Sequence, residues 1–157
     1  MAQSDLTGYE FTGCTFKLCD FSMVKLDAVV LNNVLFDQCK LLGSDFSQVS
    51  RFMFKVRFQG TILDYTLFHK TNLKKTVFEQ CSLREVIFSE TDLSESAFSG
   101  CDLTDASFDR CNLMGVDWRT ALNYTIDPVK NKVRKGRFSW PGVVGLLRHL
   151  DVEIDEL

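Results

Sequence analysis

Leucine or phenylalanine returns every five residues from Leu6 onward, and neither a helix nor a flat strand has that period. A helix repeats at 3.6 residues and a strand at two. The centres are Leu6, Phe11, Phe16, Phe21, Leu26, Leu31, Phe36, Leu41 and Phe46. After a two-residue slip they resume at Met53, Phe58, Leu63 and Phe68 and run unbroken to Trp118. Of 23 centres, 21 are Leu or Phe, so the period is a structural rule and not a bias of composition. A short fixed period calls for a solenoid, whose units bury their apolar residues only by stacking.

A second position is locked to the same phase, two residues before each centre. Apart from Tyr9 and Arg51 it is small or β-branched throughout, as in Cys14, Val24, Thr66 and Ala106. Large and small residues in alternation suit a narrow tube filled along its axis. The remaining three positions carry nearly all the charge and face water. Six of the nine glycines, Gly8, Gly13, Gly43, Gly60, Gly100 and Gly115, lie two residues after a centre. That placement fits a type II turn, whose third residue needs positive φ.

The segments Thr91-Asp92-Leu93-Ser94-Glu95, Cys101-Asp102-Leu103-Thr104-Asp105 and Cys111-Asn112-Leu113-Met114-Gly115 resemble the pentapeptide-repeat family, whose loose motif is A(D/N)LXX. The resemblance spans residues 4–120, with the alanine mostly replaced by Cys, Thr or Val. It implies an all-β solenoid, a right-handed quadrilateral β-helix of about six coils with four pentads to a coil, and it implies no single activity. Folded into four faces, the sequence places Phe16, Phe36, Phe58, Phe78, Phe98 and Trp118 in one inward aromatic ladder. These rings fill the tube and are closed to nucleic-acid bases.

The chain has 157 residues, enough for one domain. It has no apolar run long enough to span a membrane, and Met1–Asp5 lacks the basic and apolar regions of a signal peptide, so a cytoplasmic protein is expected. All six cysteines share the phase two before the centres, which makes them reduced wall residues. No CxxC occurs and the histidines are only His69 and His149, so no metal or other cofactor is expected. No nucleophile–base pair, phosphate loop or paired-carboxylate site is evident, and a filled tube has no pocket; a non-enzyme is expected.

After Trp118 the period dissolves, and residues 121–157 read as a C-terminal cap. One further pentad-like unit stands at Gly136-Arg137-Phe138. Ser139 to Leu150 reads as a short helix with Ser139 as N-cap, and Asp151 to Ile154 as a short strand. The basic run Lys130 to Arg137 reads as a solvated linker. Val143, Leu146, Leu147 and Leu150 are too apolar for a solvent face, so they cover the last coil, pair with a second copy, or do both. Related proteins of the quinolone-resistance group dimerise through their C-terminal ends, so the resemblance implies a C2 homodimer.

The expected function is a non-enzymatic protein-interaction module with an unnamed protein partner. The alternative, carried by the resemblance, is a DNA-mimicking modulator of a type II topoisomerase such as DNA gyrase. A rod roughly 27 Å long would need ~16 negative charges to match DNA. Residues 1–123 hold 16 acids against 12 bases. The best stretch is residues 79–117, with Glu79, Glu85, Glu90, Asp92, Glu95, Asp102, Asp105, Asp109 and Asp117 against Arg84 and Arg110. The quinolone-resistance group also has two projecting loops, whereas this chain has only the slip near Arg51. That slip, with Arg51, Phe52 and Phe54, is a candidate contact site. The pI of 5.4 disfavours direct nucleic-acid binding.

Overall fold

The computed structural model describes residues 2–155. Nine short strands stack in parallel: β1 (Glu10–Thr12), β2 (Thr15–Lys17), β3 (Val30–Asp37), β4 (Lys55–Gln59), β5 (Leu67–His69), β6 (Val77–Glu79), β7 (Ile87–Ser89), β8 (Ala97–Ser99) and β9 (Ser107–Asp109). They form a six-stranded sheet, with β1-β3-β4-β6-β8 in sequence and β2 also on β3, and a three-stranded sheet β5-β7-β9. Partners lie 20 residues apart, as in Phe78↔Phe98 and Phe88↔Phe108, so each coil is four pentads. Isolated bridges such as Ser82↔Asp102 and Asn72↔Asp92 mark the two other faces. The chain folds as a quadrilateral β-solenoid, and four faces result: the Phe16, Phe21, Phe46 and Leu31 faces, named by one centre each.

Two aromatic ladders fill the interior, one more than the sequence reading identifies. Phe58, Phe78 and Phe98 stack at centroid spacings of 5.2 and 4.8 Å, and Trp118 follows at 4.8 Å. On the opposite face Phe46, Phe68, Phe88 and Phe108 stack at 4.8, 5.3 and 5.0 Å. The ladders meet edge to face, for example Phe88 on Phe98 at 6.1 Å and 77°. Offset stacks and T-shaped contacts both place the ring's positive edge near a negative face. Beyond Phe11 and Phe21, leucines fill most of the remaining two faces, and Leu63, Leu73, Leu83, Leu93, Leu103 and Leu113 are wholly buried.

The corners explain the glycines and much else. All six glycines two residues after a centre have positive φ, and so do Tyr65, Lys75, Glu85, Glu95 and Asp105 in the same phase. Glycine relieves the strain of that conformation, and at Gly100 it also makes room. A Cβ there would collide with the Gln80 side-chain amide.

At several pentads the residue two before the centre has a polar task that the small-filler reading omits. The thiols of Cys39, Cys101 and Cys111 donate to the carbonyls of Phe16, Phe78 and Phe88 in the coil below, at 3.2, 3.4 and 3.3 Å. Thr61 Oγ1 donates to Phe36 O at 3.0 Å and accepts from Cys39 N–H at 3.3 Å. Asn131 repeats the bridge, donating to Phe108 O at 3.0 Å and accepting from Cys111 N–H at 2.9 Å. After Leu63 and Leu73 the backbone closes its own turn, Thr66 N–H to Leu63 O and Thr76 N–H to Leu73 O, at 3.1 and 3.0 Å.

Several boundaries differ from the sequence reading. The solenoid passes position 120: Lys132 pairs with Asn112, Arg137 with Asp117, and Phe138 stacks on Trp118 at 6.4 Å. The run Lys130 to Arg137 is therefore partly ladder and not a linker; the register stays at 20 residues, and Asn123 and Pro128 in the centre places hide the period. Ser139 Oγ does accept from Gly142 N–H at 3.2 Å, but the segment beyond it forms a pair of 3-10 helices, Pro141–Leu146 and Arg148–Leu150. Asp151 to Ile154 forms no strand. Finally, Met53 is not a core centre: it is 58 % exposed with φ of 52°.

Candidate interaction surfaces

Since the inward phase is filled, the outward positions and the two ends are what the chain presents to solvent. The slip at residues 50–55 makes the sharpest outward feature. Ser50 N–H donates to Val29 O at 2.9 Å, and the ladder resumes at Val34↔Val56, so two extra residues bulge from the Leu31 face. Phe52 is 69 % exposed, Met53 stands beside it, and Ser50 Oγ accepts from Phe52 N–H at 3.2 Å, which fixes the turn. Phe54 turns back and is half-buried against the core. The tip is thus Arg51, Phe52 and Met53; Phe54 is withdrawn from it. Sequence reasoning missed Met53 because the pentad count gave it a centre's place.

The nine acids of residues 79–117 lie on all four faces and divide into two groups by task. Asp92, Asp102 and Asp117 sit just before a centre, and Oδ1 of each accepts the N–H two residues on: Ser94 at 2.9 Å, Thr104 at 3.1 Å and Arg119 at 3.1 Å. These are turn clasps of the Asx type, as are Asp5 with Thr7 and Asp20 with Ser22. Hydrogen bonding from Arg119 holds the Asp117 carboxyl below the usual carboxylate range. Partial burial opposes the same shift at Asp102, and hydrogen bonds from Asn123 and Thr104 outweigh it. Much of the acidity is also neutralised locally. Arg110 lies 3.5 Å from Glu90 and 3.0 Å from Asp109, Lys74 and Lys75 both reach Glu95 at 3.5 Å, Arg84 reaches Asp102 at 3.8 Å, and Arg119 reaches Asp117 at 2.8 Å. Glu79, Glu85, Asp92 and Asp105 have no ion-pair partner among the described residues.

The cap closes the last coil. Ile126 N–H donates to Gly145 O at 2.9 Å, and a Cβ at Gly145 would meet Tyr124 O at 2.5 Å, so only glycine allows the approach. Leu146 packs on the core and Val143 is half-buried. Leu147 and Leu150 face outward at 41 % and 55 % exposure, beside Trp140 at 90 %. His149 Nε2 lies 3.6 Å from Asp127 Oδ1 and holds the end of the cap against the segment before Pro128.

The thiols are all free, and Cys39, Cys81, Cys101 and Cys111 are buried, whereas Cys14 and Cys19 are half-exposed near the first coil. Burial pushes the Cys39 and Cys111 thiols up. Hydrogen bonding with Cys81, and burial, push Cys101 up as well, and the same hydrogen bond draws the Cys81 thiol down. Among the described residues no group of His, Cys, Asp and Glu is arranged to hold a metal ion, and no helix is long and apolar enough to cross a membrane.

Comparisons with known proteins agree with this architecture. Residues 51–121 match the family model described as pentapeptide repeat region. A trypsin-treated form of QnrB1, a plasmid-mediated fluoroquinolone resistance protein, superposes with a TM-score of 0.57 at 22 % identity, over 98 % of this chain and 84 % of that one. HetL, a pentapeptide repeat protein involved in heterocyst differentiation regulation from the cyanobacterium Nostoc sp. strain PCC 7120, aligns at 15 % identity over 87 % of each chain, with a TM-score of 0.47. No curated protein sequence matches the chain.

Proposed function

We propose that this chain, a member of the pentapeptide-repeat family, is a non-enzymatic module that works by presenting its outward rows to another protein. One observation carries the reading: the chain holds an adjacent apolar pair, Phe52 and Met53, out in solvent on a turn fixed by its own hydrogen bond, while the pentad centres on either side, Phe46 and Phe58, are buried. Exposing such a pair costs solvation that folding alone would not favour. Co-purification from native cytosol tests this. A partner retained by the Cys81→Ser protein and lost from the Phe52→Ser, Met53→Ser protein supports the module; recovery of the same proteins by both opposes it.

The alternative is modulation of DNA gyrase, favoured by the fold shared with a fluoroquinolone resistance protein. The charge pattern weighs against a strong effect, because five of the nine acids are paired with bases. Weak inhibition at most is expected in a supercoiling assay with purified gyrase, with and without ciprofloxacin, and any effect should vanish in the Glu90→Lys, Glu95→Lys, Asp105→Lys protein. Strong protection below one protein per gyrase would place the alternative first. We further propose a cytoplasmic homodimer through the C-terminal end, supported by the outward Trp140, Leu147 and Leu150. Light scattering at micromolar concentration should report a dimer, and Leu147→Asp a monomer.

A further inference from the structure

The formal net charge of −3 conceals an uneven distribution over the four faces. On the Leu31 face the outward positions hold seven exposed bases, Arg51, Lys55, Lys74, Lys75, Lys132, Arg134 and Lys135. Only Glu10, Asp92 and Glu95 oppose them there; Asp92 is engaged in its turn and Glu95 is shared between Lys74 and Lys75. The opposite, Phe21 face carries Asp20, Asp64, Glu85, Asp102 and Asp105 against Lys40 and Arg84. The solenoid is therefore polarised across its width. Arg51, Lys55, Lys132, Arg134 and Lys135 have no ion-pair partner among the described residues. The apolar tip of Phe52 and Met53 projects from this same basic face.

From this coincidence we infer that the Leu31 face is the docking surface, and that its partner is a protein presenting an apolar pocket within an acidic surface. The inference rests on the interaction-module reading and adds the face and the chemistry. Aromatic and methionine side chains seated in a pocket dominate binding energy, and surrounding charges of one sign steer the approach and select the partner. A nucleic acid would meet the same bases but would gain little from an apolar pair. Of the nine acids on which a DNA mimic would rely only Asp92 and Glu95 lie on this face, so most of that charge is on the other three.

The test is an mRNA-display selection of random twelve-residue peptides on the immobilised full chain, followed by binding of the enriched peptides and of a 20-base-pair duplex DNA to variants. The expected peptides combine acidic residues with several apolar ones that can enclose the Phe52 and Met53 side chains. Their affinity should fall at least about tenfold for the Phe52→Ser, Met53→Ser protein and for the Lys55→Glu, Lys132→Glu protein. It should also weaken with salt, as charge pairing across an open face requires. The Asp105→Lys protein, altered on the opposite face, should bind as the parent does. Enriched peptides indifferent to these variants would overturn the assigned face and leave the interaction module standing. Tighter binding of the duplex at the same residues would overturn the protein partner. A selection that enriches nothing would overturn both.

Discussion

Replacing Thr61 by Val separates a hydrogen-bonding wall from a merely small one. The two side chains have nearly the same volume, so no cavity forms. Thr61 is completely buried, its hydroxyl donates to Phe36 O at 3.0 Å, and it accepts the N–H of Cys39, itself 1 % exposed, at 3.3 Å. With valine, that N–H is stranded in the tube wall. An orphaned buried polar group costs about 1–3 kcal/mol. For a chain of this size that corresponds to a fall in Tm of roughly 2–10 °C. Thr66→Val is the control, because the turn there is already closed by Thr66 N–H to Leu63 O; it should cost less than about 1 kcal/mol. Differential scanning calorimetry of the two variants decides the matter. Equal stabilities, or a stabilised Thr61→Val protein, would refute the bridging role and return this phase to simple filling.

Three further outcomes are expected. Phe88→Ala removes a ring stacked on Phe68 and Phe108 and should cost about 3–5 kcal/mol in urea unfolding. Thiol titration should count six free thiols in the denatured protein without reductant, and in the native protein Cys14 and Cys19 should react well before the four buried ones. Stability should fall in acid: Asp102 and Asp117 have folded-state values below the ordinary carboxylate value near ~3.9, so their contribution is present above that pH and lost as pH drops through the lower folded values. Chemical denaturation between pH 7 and 3 checks this, and Asp117→Asn should flatten the acid limb.

The period of five made the architecture legible, because a centre and its two-before neighbour occupy the same place in every coil. The ladder from Phe16 to Trp118 comes from counting by 20, and the ladder from Phe46 to Phe108 was available by the same count. Two things were hidden. The slip shifted the phase, so Met53 took a centre's place, and Asn123 and Pro128 in the next centre places broke the pattern, so Lys130 to Arg137 read as linker although the 20-residue register runs on. Polar duties are also invisible to a size pattern: Cys, Thr and Asn at one position looked interchangeable until the carbonyl each one contacts was known. The acids suffered similarly, since sequence shows that Asp92, Asp102 and Asp117 are charged but not that their oxygens clasp turns. The tip at Arg51 and Phe52 was visible as an anomaly of composition. The basic setting around it emerged only when residues 20 apart were brought onto one face.

Hydroxyl-radical footprinting of the native protein, read residue by residue by mass spectrometry, tests the division between filled interior and displayed tip most directly. Phe52, Met53 and Trp140 should be oxidised rapidly, while Phe68, Phe78, Phe88 and Phe98, each wholly buried, should be protected. Oxidation of the ladder rings at the rate of Phe52, or protection of Phe52 and Met53 in the isolated protein, would contradict it.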